Sequence, residues 1–491
     1  MGNIIDTIFS KERIASQEIF LYYPDTNYSL SYKDLYEQSL NMACGLREYG
    51  IKSGDKVLVF FDNTPQSVIL AFSLIIAGAV LVPVEPGITN ESLQYIIKNS
   101  DCRFSIYFAK MENVNIGHTI AIDYEKLKCF HKKEEAISSF YLSPDDGIVI
   151  LYTSGSTGNP KGIVFTYESV IRNFTEYGRI MKFSDKTRFL QVMPMYHADG
   201  WNFTLLIPYL FNCSVVLTPK FNLNVCKDIY NVIKEYKCNV LVAIPSILDS
   251  IILFSQRYDK KELPCLDYVI TSSEKLCKTT KIPFEELFNC RIYDLYGLTE
   301  TQIVSYYNKD IDWIEGSVGK LQKGVQAKFE KDGELLVKSP YLFKEYCNNK
   351  ALTDIVKKDG WFSTGDLGRM SEDGYLFLVG RKNDIINKGG EKVSPNEIDT
   401  IIKELDFVKD CYTLGVDDDV YGQEIFTLVI LLDGINDDQD TVNNIKKYCS
   451  QKIKKNLVPK YIVFVDSFPM NRSGKKDKMK IREMVKDKYN I

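Results

Sequence analysis

Short apolar runs alternate with helical periodicities through the first 300 residues. Residues 57–61 (VLVFF) read as a strand, 66–76 as a helix and 79–84 (AVLVPV) as the next strand. Further apolar runs at 148–152, 215–217, 240–243 and 268–271 continue the pattern. Such alternation predicts mostly parallel sheets covered by helices. After about residue 305 the texture changes. Strand-like pieces cluster between 334 and 379, broken by Lys331-Asp332-Gly333 and Glu372-Asp373-Gly374. Glycine there supplies the positive φ of a tight reversal, so this stretch predicts a small β-rich subdomain. From about residue 384 a lysine-rich pattern begins, with helices predicted at 395–404 and 441–454 and strands at 412–416 and 426–431. Neither an internal repeat nor a low-complexity segment is present.

At 491 residues the chain exceeds one compact core, so two or more domains are expected. The formal net charge of −4 offers no basic face of the kind a nucleic-acid binder shows. Twelve cysteines are scattered singly from Cys44 to Cys449 without a C-x-x-C pair, which argues against a zinc site or a redox dithiol. Reduced, mostly buried thiols in a cytoplasmic protein are expected. The first residues, MGNIIDTIFSKERIAS, lack the basic start and apolar core of a secretory leader. Asp6 stands where myristoylation needs Ser or Thr. The apolar run 68–84 falls short of a bilayer span, so no membrane insertion is expected.

The densest chemistry lies at 151–162, LYTSGSTGNPKG, directly after an apolar run. Gly155 and Gly158 let backbone approach an anion closely, and successive amides form a phosphate-binding concavity. Thr153, Ser154, Ser156 and Thr157 add hydroxyls, and Lys161 adds a positive charge. A flexible tether would need none of these. Nor is this a Walker A loop, which requires G-x-x-x-x-G-K-[ST]; Gly158 is followed by Asn-Pro-Lys.

The loop TSGSTGNPKG resembles that of the adenylate-forming superfamily, which includes acyl- and aryl-CoA synthetases, luciferases and peptide-synthetase adenylation domains. The resemblance runs along nearly the whole chain in order: SLSYKDL (29–35), AGAVLVPVEP (77–86), PMYH (194–197), YGLTE (296–300), GWFSTGDLG (360–368), GRKNDIINKGGEKVSPNEID (380–399) and NRSGKKDK (471–478). It implies an α/β fold. A large N-terminal domain (1–379) would hold two stacked, mostly parallel α/β sheet subdomains plus the β-rich one. A hinge (380–383) would lead to a small mobile α+β C-terminal domain (384–491). It also implies an enzyme that turns ATP and a carboxylic acid into an acyl-adenylate, then passes the acyl group to a thiol.

Carried over residue by residue, the resemblance gives Tyr296 and Gly297 to the adenine and Thr299 to the α-phosphate. Glu300, with Thr153, would hold Mg²⁺. Asp366 would accept hydrogen bonds from the ribose hydroxyls, and Arg381 would reach the ribose or phosphates. Ser272-Ser273-Glu274 departs from the Gly-Gly-Ala trio of many relatives; Ser273 and Glu274 would border the adenine. Lys475 matches the catalytic lysine that bridges carboxylate and α-phosphate, a role suited to a flexible point charge. Lys476 and Lys478 read as solvated neighbours. Asn383 stands at the hinge position. Gly389 and Gly390 would line the channel for the incoming thiol.

His197 matches the residue that gates the carboxylate, here in a positioning role. Trp201, Asn202 and 243–246 would shape the acyl pocket. Amino-acid-activating relatives place an aspartate where His197 stands, which disfavours α-amino acids, although Asp199 lies two residues on. The segment INKGGEKVSP resembles CoA ligases, so coenzyme A is the expected acceptor; a carrier-protein phosphopantetheine is the alternative, and a non-catalytic nucleotide-binding relative a third.

Overall fold

The computed structural model describes residues 4–108, 116–127, 142–153, 160–255, 258, 266–470 and 476–489. The chain packs into two units. The first comprises residues 1–326 and 337–362, the second residues 327–336 and 363–491.

The first unit carries two sheets. In one, strands run in the order Glu345–Tyr346, Lys161–Thr166, Gly147–Thr153, Val80–Val84, Lys56–Phe60, Phe104–Tyr107, Ile120–Asp123. From Gly147–Thr153 onward they are parallel, while Gly147–Thr153 and Lys161–Thr166 pair antiparallel. In the other, Tyr268–Thr271 lies between Arg291–Leu298 and Val240–Val242, followed by Arg188–Gln191, Ser214–Leu217 and Ile19–Tyr23, all parallel. Antiparallel strands continue it at both ends, Tyr28–Ser31 on one side and Gln302–Tyr306 with Ser317–Leu321 on the other.

A helix, Pro65–Ala77, separates the two sheets. Thr64 caps it by accepting from the Ser67 amide, Pro65 occupies its first position, and Gly78 ends it at φ 74°. It is apolar on every side and buried along its length, as befits a helix packed on both faces. The Phe72 ring meets Phe20 and Tyr209 from the second sheet's layer, at 6.0 and 4.6 Å between centroids. Its flanking strands, Lys56–Phe60 and Val80–Val84, belong to the first sheet. The strands predicted in the first 300 residues and this helix are therefore found within a residue or two of where the pattern put them, whereas those predicted at 412–416 and 426–431 each begin four residues earlier.

In the second unit Asp366 and Arg381 face one another across the antiparallel pair Trp361–Met370 and Tyr375–Arg381. A further sheet runs Glu391–Val393, Ile386–Lys388, Gly422–Leu431, Val408–Asp418, with Tyr461–Phe464 parallel to Gly422–Leu431. Side chains on Gly422–Leu431 alternate. Ile425 and Val429 join a core with helices Pro395–Ile402 and Gln439–Lys452, while Phe426 and Leu428 join another with Lys478–Tyr489. The period of two thus buries both faces of this sheet. No helix of the described residues is long and apolar enough to cross a membrane. Of the ten described cysteines, nine are buried and Cys277 is half-buried; all are free thiols.

Candidate active site

Ser154, Gly155, Ser156, Thr157 and Gly158 lie outside the described residues, as does Lys475. The frame around the first of these gaps is clear. Thr153 and Lys161 are direct partners in the antiparallel register, so the two ends of the glycine-rich loop are fixed side by side. Gly162 makes room for the Tyr152 ring: a Cβ there would sit 2.7 Å from Cζ. The Tyr152 hydroxyl donates to Asn99 Oδ1 at 2.7 Å.

Strand Glu345–Tyr346 adds to the edge of this hairpin, with Tyr346 opposite Ile163. Its ring lies 5.7 Å from Lys161 Nζ, a cation–π distance. Its hydroxyl donates to Glu300 Oε1 at 2.7 Å. Burial, and then the Glu300 charge, push the Tyr346 phenol well above its ordinary value, so it stays a donor. The Phe343 amide holds the Glu300 carbonyl at 2.9 Å. Lys161 and Glu300 are thereby gathered around one aromatic ring. Tyr346 had no signal in the sequence; it sits in a two-residue strand without periodicity.

YGLTE forms the end of strand Arg291–Leu298 and the turn into Gln302–Tyr306. Tyr296 is 8% exposed. Gly297 lies beside a bulge, and a Cβ there would stand 1.8 Å from the Gln302 carbonyl, so no side chain fits. Thr301 closes the turn, its hydroxyl accepting from the Leu298 amide at 2.9 Å. Thr299 and Glu300 form the turn's tip, both partly exposed.

His197 immediately precedes the helix Ala198–Thr204, with its ring 4.7 Å from that of Tyr196. Trp201 is buried and Asn202 half-buried on that helix. Asp199 Oδ2 accepts from the Ser272 hydroxyl at 2.8 Å and from the Ser273 hydroxyl at 3.0 Å. Ser273 adopts φ 71°, a left-handed conformation that a serine takes only under constraint. Glu274 accepts from the Ser246 amide at 3.1 Å. It therefore sits at the N-terminal end of helix Pro245–Ser255, where a negative charge is favoured.

In the second unit, Arg381 Nε contacts Asp366 Oδ1 at 2.7 Å, and Asp366 is 5% exposed. Gly365, at φ 70°, donates its amide to Glu334 Oε1 at 3.2 Å. Lys382 bridges Asp332 and Glu334, each at 2.7 Å. Gly389 and Gly390, at φ 58° and 87°, are the two-residue connection between paired Lys388 and Glu391. Both angles are positive, the pattern of a type I′ hairpin. The half-buried Lys388 pairs with the buried Glu424 at 2.5 Å.

Of the two lysines read as solvated neighbours of Lys475, Lys478 is exposed as expected and Lys476 is engaged. Lys478 pairs with Asp384. Lys476 donates to Asp410 and to the Cys411 carbonyl, each at 2.8 Å, and covers the Phe468 ring at 4.5 Å. Met470 and Lys476 form an isolated antiparallel bridge, which brings together the two ends of segment 471–475. A carboxylate 66 residues away in sequence anchors this lysine, and composition alone could not reveal it.

Comparison with known proteins agrees with this layout. Residues 11–347 match the AMP-binding enzyme family, and 397–475 its C-terminal domain. The chain is 29% identical to an oxalate–CoA ligase of Arabidopsis thaliana, with 87% of each protein covered. It is 26% identical to a 2-succinylbenzoate–CoA ligase of Geobacillus, with 94% of each covered. The ATP-bound crystal structure of MatB from Rhodopseudomonas palustris superposes with a TM-score of 0.88 at 23% identity, over 99% of each chain. That last likeness speaks of the fold; the family match, over more than half the sequence, shows that this chain belongs to the AMP-binding enzymes.

Proposed function

We propose that the protein joins a carboxylic acid to coenzyme A in two steps, through an acyl-adenylate with release of pyrophosphate. The observation that carries this reading is the grouping of Glu300, Tyr346 and Lys161 beside the paired ends of the glycine-rich loop. A carboxylate is a weak nucleophile and repels the triphosphate it must attack. Donors fixed before reaction lower that barrier because they need not reorganise.

Thr153, Lys161 and the loop residues Ser154, Gly155, Ser156, Thr157 and Gly158 hold the phosphates. Tyr296, Gly297, Ser273 and Glu274 border the adenine, and Thr299 meets the α-phosphate. Asp366, oriented by Arg381, binds the ribose. His197 positions the acid and helps exclude water; Trp201 and Asn202 shape its pocket. Lys475 acts in the first step. Hard oxygen donors suit Mg²⁺, which commonly takes one or two carboxylates and substrate phosphates. The Glu300 carboxylate, held in place by Tyr346, and the Thr153 hydroxyl fit it. Bound there, the ion screens phosphate charge.

Residues 380–383 serve as the pivot by which the second unit's residues change roles, and Gly389 and Gly390 then border the thiol path. Named relatives that are CoA ligases support coenzyme A as acceptor. Acid-dependent exchange of pyrophosphate into ATP tests the first step. Thioester yield with free CoA against a holo-carrier protein tests the second. Failure of every acid to drive exchange while ATP binds refutes the proposal, and a carrier protein outpacing CoA changes the acceptor.

A further inference from the structure

The carboxyl ends of parallel strands are where open α/β sheets bind ligands. In the second sheet of the first unit those ends are marked by Gln191, Val242 and Ile270, which are neighbours in register, and the next residue, Thr271, lies opposite Asp294, two residues before Tyr296. The groups around this edge are polar to an unusual degree for a buried place. Asp199 is fixed by the Ser272 and Ser273 hydroxyls, both on the same carboxylate oxygen. Among the described residues no lysine, arginine or histidine is paired with Asp199 or with Asp294.

Tyr177 is completely buried, and its hydroxyl has no hydrogen-bond partner among the described residues. Burial first, and then the neighbouring Tyr268, Asp199 and Asp294, raise its pKa well above the ordinary phenol value. Asp294 itself is 5% exposed, and burial raises its carboxyl well above the ordinary carboxylate range. The Trp201 indole N–H, on the helix that carries Asp199, is likewise buried without a partner among the described residues. Buried donors left unmatched are costly, so these two call for an acceptor.

We infer, resting on the function proposed above, that the acid activated here carries a hydrogen-bond donor on its acyl part, a hydroxyl or a protonated amine, and no second carboxylate. The fixed Asp199 carboxylate, already oriented by two serines, accepts that donor. The same charge, lacking a basic partner, repels a second carboxylate. This sets the protein apart from its oxalate- and succinylbenzoate-activating relatives, whose named substrates are dicarboxylates. A plain hydrocarbon chain offers the Asp199 carboxylate no donor. Sites built for hydrogen bonding discriminate strongly against analogues that lack the matching group.

The test is ATP–pyrophosphate exchange by the full chain with matched acids. Each set has equal length or ring position and ends in methyl, hydroxyl, amine or carboxylate, in aliphatic acids of three to six carbons and in para-substituted benzoates. The expected result is that kcat/KM for a hydroxyl- or amine-bearing acid exceeds that of its methyl and carboxylate counterparts by ~tenfold or more. The hydroxyl and amine arms identify the donor. Asp199→Asn should shrink that preference by ~tenfold and raise the relative rate of the dicarboxylate. The ranking in the unaltered protein stands without the variant. A dicarboxylate or a plain alkyl acid turned over best would overturn the inference, as would an unchanged ranking in Asp199→Asn. Silence with every acid despite bound ATP would bring down the ligase reading itself, a distinct result.

Discussion

Tyr346 joins two charges that were legible separately. Its hydroxyl fixes the Glu300 carboxylate and its ring lies near Lys161. Tyr346→Phe removes the hydrogen bond but keeps the ring. A bond to a charged group contributes about 1.5–3 kcal/mol, so this variant should need roughly ten- to hundredfold more Mg²⁺ for half-maximal exchange. Glu300→Gln should weaken the metal response further, and a metal titration of both variants checks the order. For Lys475→Ala, adenylate formation should vanish while thioester formation from preformed acyl-AMP survives; equal loss of both steps would show the lysine misassigned. Single residues stood out as candidates where their chemistry is local in sequence, as with Thr153 and Lys161 or Tyr296 and Glu300. They were invisible where a partner lies far along the chain. Tyr346 stands 46 residues from Glu300, and Ser272 stands 73 from Asp199. Lys476 was misread for the same reason: a lysine amid lysines looks solvated until Asp410 is seen beside it.

Elements followed the apolar pattern closely because buried strands need continuous apolar runs and helices need caps. Thr64, Pro65 and Gly78 bound one helix as such residues commonly do. Pairing direction was another matter. The strand before the glycine-rich loop returns antiparallel as a hairpin, although its apolar run looks like those of the parallel strands. The two residues of Glu345–Tyr346 are too few to make a pattern at all. Two glycines test the elements that carry them. Gly297→Ala meets backbone at 1.8 Å and should abolish nucleotide binding by distorting the YGLTE turn, read by ATP titration. Gly390→Ala has open space around it and only an unfavourable φ to bear. It should lower the second unit's stability by about 1–2 kcal/mol in chemical denaturation, with the hairpin retained.

At the scale of the molecule, the sequence pointed to a large α/β part and a small α+β part, and the family match supports that division of labour. Packing groups 327–336 and 363–379 with the C-terminal residues, a contact between stretches distant in sequence that no local pattern announces. If residues 380–383 are the pivot, Asn383→Pro should impair one half-reaction and spare the other, measured as pyrophosphate exchange against thioester formation. A pH effect belongs at this scale too. Asp399, half-buried in the second unit, is raised by desolvation to about 6, against an ordinary value near 4. The folded form keeps its proton where the unfolded chain has released it. Stability therefore falls as pH rises from about 4 to about 6 and stays lower above that. Asp399→Asn should raise the unit's melting temperature at pH 7.5 and change it little at pH 4. The anchoring of Lys476 has one more consequence. Adjacent Cα atoms are about 3.8 Å apart, so the chain leaving Lys476 toward residue 475 starts from a side chain pinned by Asp410. Whatever brings the Lys475 ammonium to a substrate must carry the scaffold with it, like a tool bolted to an arm, and a crosslink that stops the arm should silence the first step even with every side chain intact.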